Sequence, residues 1–153
     1  MISKKKILVT GGAGFVGTNL IESLLNEYKE YEITSLDCYF TGTEDNHIID
    51  DRVNYVNGYT WEINEIFSEN DFDIIFHFGE YSRIVHSFKD IDFVSKSILN
   101  GTSAVLNFAL KNNSKFIYSA SSSKFGNDGN DKNLSPYAFL KSKMVDLIKN
   151  YGS

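Results

Sequence analysis

Hydrophobic and polar positions along the 153-residue chain switch repeatedly between continuous apolar runs and helical spacing. Ile7-Leu8-Val9-Thr10 is a short apolar run closing on glycines, the pattern of a strand buried on both faces of a parallel sheet. From Phe15 to about Glu27, apolar residues recur at Phe15, Val16, Leu20 and Leu24, which predicts a helix. Glu32 to Asp37 reads as a second strand, and a polar loop with Gly42 and Asp50-Asp51 follows. Val53 to Val56 is a third strand and Glu62 to Phe67 a short helix. Asp73 to Phe78 is a fourth, strongly apolar strand. Ile91 to Leu110 carries one long helical pattern, and Lys115 to Ser119 is a fifth strand. A Gly/Asn/Asp-rich loop over 126–133 leads to Ser135-Pro136 and a last helix running to about Tyr151. Proline suits a first helical turn, where its missing N–H would have no partner anyway. Alternation of this kind predicts an α/β fold, a doubly wound parallel sheet with helices on both faces. Right-handed crossovers give the strand order 3-2-1-4-5. No repeat or linker interrupts the pattern, so residues 1–153 are expected to form one domain.

Composition narrows the class. Hydrophobic residues make up 42% and charged residues 23%, a balance that supports a packed core rather than disorder. A net charge of -5 disfavours nucleic-acid binding through a basic surface. Cys38 is the one cysteine, which excludes an internal disulfide and fits a reducing compartment. No apolar run approaches the roughly 18 residues of a membrane span. The apolar stretch after Lys4-Lys5-Lys6 is too short for a signal peptide. The expected setting is cytoplasmic, with no membrane partner.

The first strand-to-helix turn, Thr10-Gly11-Gly12-Ala13-Gly14-Phe15-Val16-Gly17, places Gly11, Gly14 and Gly17 at the spacing G-x-x-G-x-x-G. Residues without a Cβ let backbone approach a pyrophosphate, and the helix start offers free N–H groups and partial positive charge. Gly17 would let the helix pack close to the sheet. Such turns also occur in unliganded loops, but a strand before and a helix after suit a dinucleotide site. Asp37 lies 20 positions after Gly17, at the end of the second strand. A carboxylate there accepts the adenosine ribose hydroxyls and repels a 2′-phosphate, so the expected cofactor is NAD rather than NADP.

Tyr137 and Lys141 are four apart on the last predicted helix and share a face. An ammonium near a phenol favours the phenolate, which can then exchange a proton with a substrate hydroxyl near neutral pH. Ser119, Ser121, Ser122 and Ser123 follow the fifth strand at the edge where open α/β sheets bind ligands. Any of these serines could hydrogen-bond a reacting oxygen.

Taken in this order, Thr10 to Gly17, Ser35-Leu36-Asp37, Asp73 to Phe78, Asn100-Gly101-Thr102, Tyr118 to Gly126 and Leu134 to Lys141 resemble the extended short-chain dehydrogenase/reductase family. The branch is that of the NAD-dependent epimerases and dehydratases, in particular nucleotide-sugar 4-epimerases of the UDP-glucose type. The resemblance runs from about Lys6 to Tyr151. It implies Tyr137 as catalytic base and acid, with Lys141 tuning it and binding the ribose. In that family the serine touching the sugar oxygen lies five residues before the glycine that closes the serine loop, and counting back from Gly126 gives Ser121. Cofactor contacts are expected from Gly11, Gly14, Phe15, Val16, Gly17, Asp37, Tyr59, Phe78, Gly79, Tyr137 and Lys141. Ser82, Ser87 and Ser122 are expected near the sugar.

Three positions depart from the family pattern. Gly58-Tyr59 stands where Gly-Asp is usual, so the adenine contact is lost or becomes stacking. Gly79-Glu80 replaces two alanines and brings a negative charge toward the pyrophosphate region unless it points away. Ile98 stands where an asparagine is common, removing a polar support. Of the histidines, His77 is expected to be structural at its strand end, while His86 could face substrate. No Cys/His spacing suits zinc, and no metal is expected. Tyr59 and Trp61 could cover the adenine or pack in the core, and Arg83 could reach a phosphate or lie on the surface.

Family members continue past the Tyr-Lys helix with two more strands and a smaller substrate lobe, making chains about twice this length. The chain is therefore expected to lack that C-terminal lobe. Two functions follow. One is a nucleotide-sugar epimerase interconverting UDP-glucose and UDP-galactose by transient oxidation at C4. The other is a non-catalytic or partner-completed NAD-binding module derived from such an enzyme. The sequence could also be a piece of a longer chain. A fifth strand left as a sheet edge is an association hazard, and the resemblance implies a dimer formed through the last helix and the Ile91-to-Leu110 helix. A homodimer or higher homo-oligomer is the expected state in sedimentation at micromolar concentration, and a monomer there would overturn that expectation.

Overall fold

The computed structural model describes residues 4–69, 71–125 and 134–151. Five parallel strands, β1 (Lys5–Thr10), β2 (Tyr31–Asp37), β3 (Val53–Asn57), β4 (Ile74–His77) and β5 (Lys115–Tyr118), lie in the order β3-β2-β1-β4-β5. This is the expected doubly wound order. The Gly/Asn/Asp-rich loop expected over 126–133 lies outside the described residues.

β1 is the hub. Its run Ile7, Leu8, Val9 is fully buried, and successive side chains serve opposite faces. Ile7 and Val9, with Ile33 of β2, pack on Ile21, Leu24 and Leu25 of α1 (Phe15–Glu27). Leu8, Leu36 and Ile75 point the other way. They pack on Ile63 of α2 (Ile63–Ile66), on Phe67 and Phe72, and on Val105, Phe108 and Ala109 of α4 (Thr102–Lys111). A third cluster joins Val94 and Ile98 to Leu140 and Met144 of α5 (Pro136–Tyr151), with Tyr81. Ile98, read from sequence as a missing polar support, is fully buried among these apolar residues.

Two helices differ from expectation. The long Ile91-to-Leu110 pattern is α3 (Ile91–Ser95), a π-helical stretch Lys96–Gly101, then α4. A Cβ on Gly101 would come within 2.3 Å of the Thr60 hydroxyl, so this wider turn is where the helix presses against the segment after β3. The predicted Glu62-to-Phe67 helix begins as a 3₁₀ turn, Thr60–Glu62, and leaves only one turn of α2. Arg52, at the foot of β3, donates to the carbonyls of Leu25 and Tyr28 and pairs with Asp50 at 2.7 Å. It thereby satisfies the C-terminal carbonyls of α1 that otherwise lack partners.

One polar chain crosses the interior between β1, β4 and α4. His77 is fully buried, with Nδ1 2.6 Å from the Thr10 hydroxyl and Nε2 2.9 Å from that of Thr102. The Thr102 hydroxyl donates to Glu80, so it accepts from Nε2–H, and Nδ1 in turn accepts from Thr10. The sequence expectation of a structural histidine holds.

Burial holds the His77 imidazole down to about 4, outweighing the upward pull of Glu80. In the unfolded chain a histidine takes up its proton near pH 6.5. Below that pH the unfolded state binds more protons than the folded state, so stability falls as the pH drops toward 4. Denaturant melts should show about 2 kcal/mol lost between roughly pH 6.5 and pH 5. The slope should vanish in a folded His77→Gln variant. A wild-type curve already flat over that range would contradict this account.

Candidate active site

The site forms where the strands end at their carboxyl edge. β1 delivers Thr10 and then Gly11, whose φ of 73° lies in the left-handed region that glycine adopts without strain. A Cβ on Gly11 would sit 2.8 Å from the backbone nitrogen of Gly79, so the turns after β1 and β4 touch backbone to backbone. A Cβ on Gly17 would sit 2.2 Å from the Gly11 carbonyl oxygen, which is why α1 can start so close to the turn. Gly14 caps α1 and has no side chain to accept from the first helical turn. Its Cβ position faces only the Gly11 oxygen at 3.3 Å. The start of α1 thus carries unpaired N–H character where an anion could sit.

This turn is one wall of a cleft of about 490 Å³. Gly11, Gly14, Phe15, Val16, Gly17, Asp37, Tyr59, Phe78, Gly79 and Ser82 all line it, and so do Cys38, Trp61, Glu80, Arg83 and Ser119. Phe15 and Val16 are strongly exposed there, at 83% and 58%. At one end, Asp37 accepts backbone N–H groups from Ala13 at 3.0 Å and Tyr39 at 2.9 Å. Those bonds fix the carboxylate, and each oxygen keeps a lone pair for a ligand hydroxyl. Burial pushes the neighbouring Cys38 thiol up. Tyr59 stacks on Trp61 with ring centroids 4.2 Å apart, and Lys96 lies 4.6 Å over the Trp61 ring. These rings therefore stand at the cleft wall and outside the three main apolar clusters.

The cleft fits a dinucleotide by its own geometry. Glycine backbone and a bare helix start stand in its middle, and an anchored carboxylate stands where a ribose diol would lie. Gly11, Gly14, Gly17 and Asp37 would hold NAD.

Beyond β5 the structure places the remaining candidates around α5. Ser121 and Ser123 share a hydrogen bond of 2.7 Å between hydroxyls, and Ser122 is exposed. Ser87 is fully buried. Its hydroxyl donates to the Ile84 carbonyl at 2.6 Å and accepts the Tyr137 N–H at 3.4 Å, so it steadies the start of α5. Tyr137 is half-buried against Tyr118 and the third core cluster. His86 is exposed and Arg83 stands at the cleft rim.

Lys141 is the largest surprise. Its ammonium donates to the Glu80 carboxylate and, at 2.7 Å, to the Ser119 carbonyl, with the Tyr118 ring 4.2 Å away. The side chains of Lys141 and Glu80 are only 5% and 4% exposed. Burial pulls the lysine down from its ordinary value and Glu80 pulls it back up. Glu80 also accepts from the hydroxyls of Thr102 and, at 3.0 Å, Tyr118, whose own ionisation is pushed far up by burial and the nearby carboxylate. Of the two orientations the sequence left open for this charge, the structure shows the inward one, paired with Lys141. The sequence contained the signal, a lone acid immediately after an apolar strand, but not the partner 61 positions away. Among the described residues no cluster of His, Cys, Asp or Glu could hold a metal, and no helix is long and apolar enough to cross a membrane.

Comparison with known proteins matches this arrangement. A dTDP-D-glucose 4,6-dehydratase of Dictyostelium discoideum is 30% identical over 178 residues, covering 96% of this chain and 40% of that protein. The Bordetella bronchiseptica enzyme WbmH, solved with NAD+, superposes with a TM-score of 0.85 at 21% identity, over 97% of this chain and 53% of that one. A Thermotoga maritima UDP-glucose 4-epimerase, solved with UDP-glucose, superposes at 0.84 with 21% identity, over 95% of this chain and 50% of that one. The chain therefore spans about half the length of these relatives or less. The sequence signature of one family covers residues 7–153, nearly the whole chain. With the glycine turn, the anchored Asp37 and the Tyr-Lys helix in their places, the chain belongs to the NAD-dependent epimerase/dehydratase family.

Proposed function

We propose that this chain carries the cofactor-binding and proton-transfer half of a nucleotide-sugar-modifying enzyme, working as a 4-epimerase on a UDP-sugar of the glucose/galactose type. The observation that supports the reading is at Ser119, which lines the cleft and whose carbonyl accepts from Lys141, so the Tyr-Lys helix packs against the cleft wall. Bound NAD supplies a two-electron acceptor. The chain's own residues bind it, exclude water and move one proton. Tyr137 takes the proton from the sugar 4-hydroxyl and later returns it, while Ser121 orients that oxygen. Ser82 and Ser122, both exposed, meet the sugar in this reading. Ser87 acts one step back, through the backbone of Tyr137.

A second reading is favoured by the 30% identical relative, a 4,6-dehydratase. Proton removal from the 4-hydroxyl by the same tyrosine begins either route, so the two differ in product and not in the first proton transfer. The remaining reading is an NAD-binding module without turnover.

The protein with NAD should convert UDP-glucose to UDP-galactose, followed by product chromatography, with dTDP-glucose tested in parallel. Tyr137→Phe should lower turnover by about a thousandfold and leave NAD affinity within about threefold. A 4-keto-6-deoxy product would replace the epimerase reading with the dehydratase one. NAD binding without turnover on any sugar nucleotide would leave the non-catalytic module.

A further inference from the structure

We propose that Glu80 is a positioning residue: it holds the Lys141 ammonium as a buried ion pair at the cofactor cleft and so presents one remaining ammonium N–H to the cofactor ribose. The inference rests on the NAD-binding reading above and concerns a residue that reading does not use.

Three observations support it. First, both groups that hold Lys141, Glu80 and Ser119, line the cleft, so the ammonium sits directly behind its wall. Second, the ammonium has three donors, and Glu80 and the Ser119 carbonyl take two of them. Third, the Glu80 carboxylate is itself fully occupied. One oxygen accepts from Thr102 and Tyr118 and the other from Lys141. A buried ion pair of this kind is seldom more stabilising than apolar residues of the same volume. Stability alone therefore gives little reason for an acid where Gly79 and Tyr81 flank it.

The groups around Lys141 come from the ends of two strands: Glu80 and His77 from β4 and its turn, and Tyr118 and Ser119 from β5 and its end. His77 is kept neutral by burial and Tyr118 is kept protonated, so neither offers Lys141 a countercharge, and the acid in contact with it is Glu80. Without it, a lysine buried to this depth loses its proton more readily, because nothing offsets desolvation.

The test is NAD affinity by calorimetry from about pH 7.5 to about pH 9, a range above the ordinary histidine transition. The Cys38 thiol at the other end of the cleft, pushed up by burial, stays protonated over most of it. Wild type should bind NAD with a nearly constant affinity. Glu80→Gln should weaken about tenfold across the range as Lys141 discharges, and Glu80→Asp, which keeps the charge, should restore the flat profile. A merely structural Glu80 would lower affinity equally at every pH. Parallel profiles for wild type and Glu80→Gln overturn this proposal alone, whereas absence of NAD binding by wild type overturns the cofactor reading and this proposal with it. If Glu80→Gln does not fold, the wild-type Lys141 Nζ signal in proton–nitrogen correlation spectra decides the matter. A persistent ammonium at about pH 8 supports the ion pair, and a neutral amine overturns it.

Discussion

The carboxyl end of β1 has no room for side chains, and most of the molecule is arranged around that constraint. β1 lies between β2 and β4 with both faces covered, so the chain can leave the sheet only through a gap bounded by backbone. Gly11 meets the backbone of Gly79, and Gly17 meets the backbone of Gly11 and Gly12. Backbone cannot swing aside as a side chain can, so these contacts fix the path of the turn and the position of α1 together. The same crowding that excludes a Cβ leaves N–H groups bare at the start of α1. Close packing and a bare helix start are here one geometric fact.

The polar interior obeys a second constraint, that buried hydrogen-bonding groups be paired. From Thr10, whose oxygen also accepts the N–H groups of Phe78 at 3.2 Å and Gly79 at 3.0 Å, the chain of bonds runs through His77 and Thr102 to Glu80 and ends on Lys141. Each hydroxyl and ring N–H along this chain has one acceptor to serve, so the Glu80 carboxylate at its end sets the direction of every bond. The glycine turn and the Tyr-Lys helix are therefore linked by polar contacts as well as by the apolar cluster of Tyr81, Val94, Ile98, Leu140 and Met144.

The strand order, the boundaries of α1 and the cleft-lining role of Asp37 were legible in the sequence because each depends on local pattern. Apolar runs mark buried strands, and the spacing of Gly11, Gly14 and Gly17 marks a turn that only one kind of backbone can make. What was not legible depends on pairing across long separations. Nothing near Glu80 in sequence indicates that its charge ends on Lys141, and nothing near Ser87 indicates that its hydroxyl is spent on Ile84 and Tyr137. The π-helical stretch was also invisible. An apolar pattern at helical spacing does not reveal that Gly101 must pass within 2.3 Å, measured from a would-be Cβ, of the Thr60 hydroxyl.

The Glu80–Lys141 pair changes what a tyrosine and a lysine four residues apart can mean. Spacing on a helix puts the two side chains on one face, but it does not decide which group receives the ammonium. In this fold the carboxylate after β4 and the Ser119 carbonyl receive it. The lysine thereby ties α5 to the chain ends of β4 and β5.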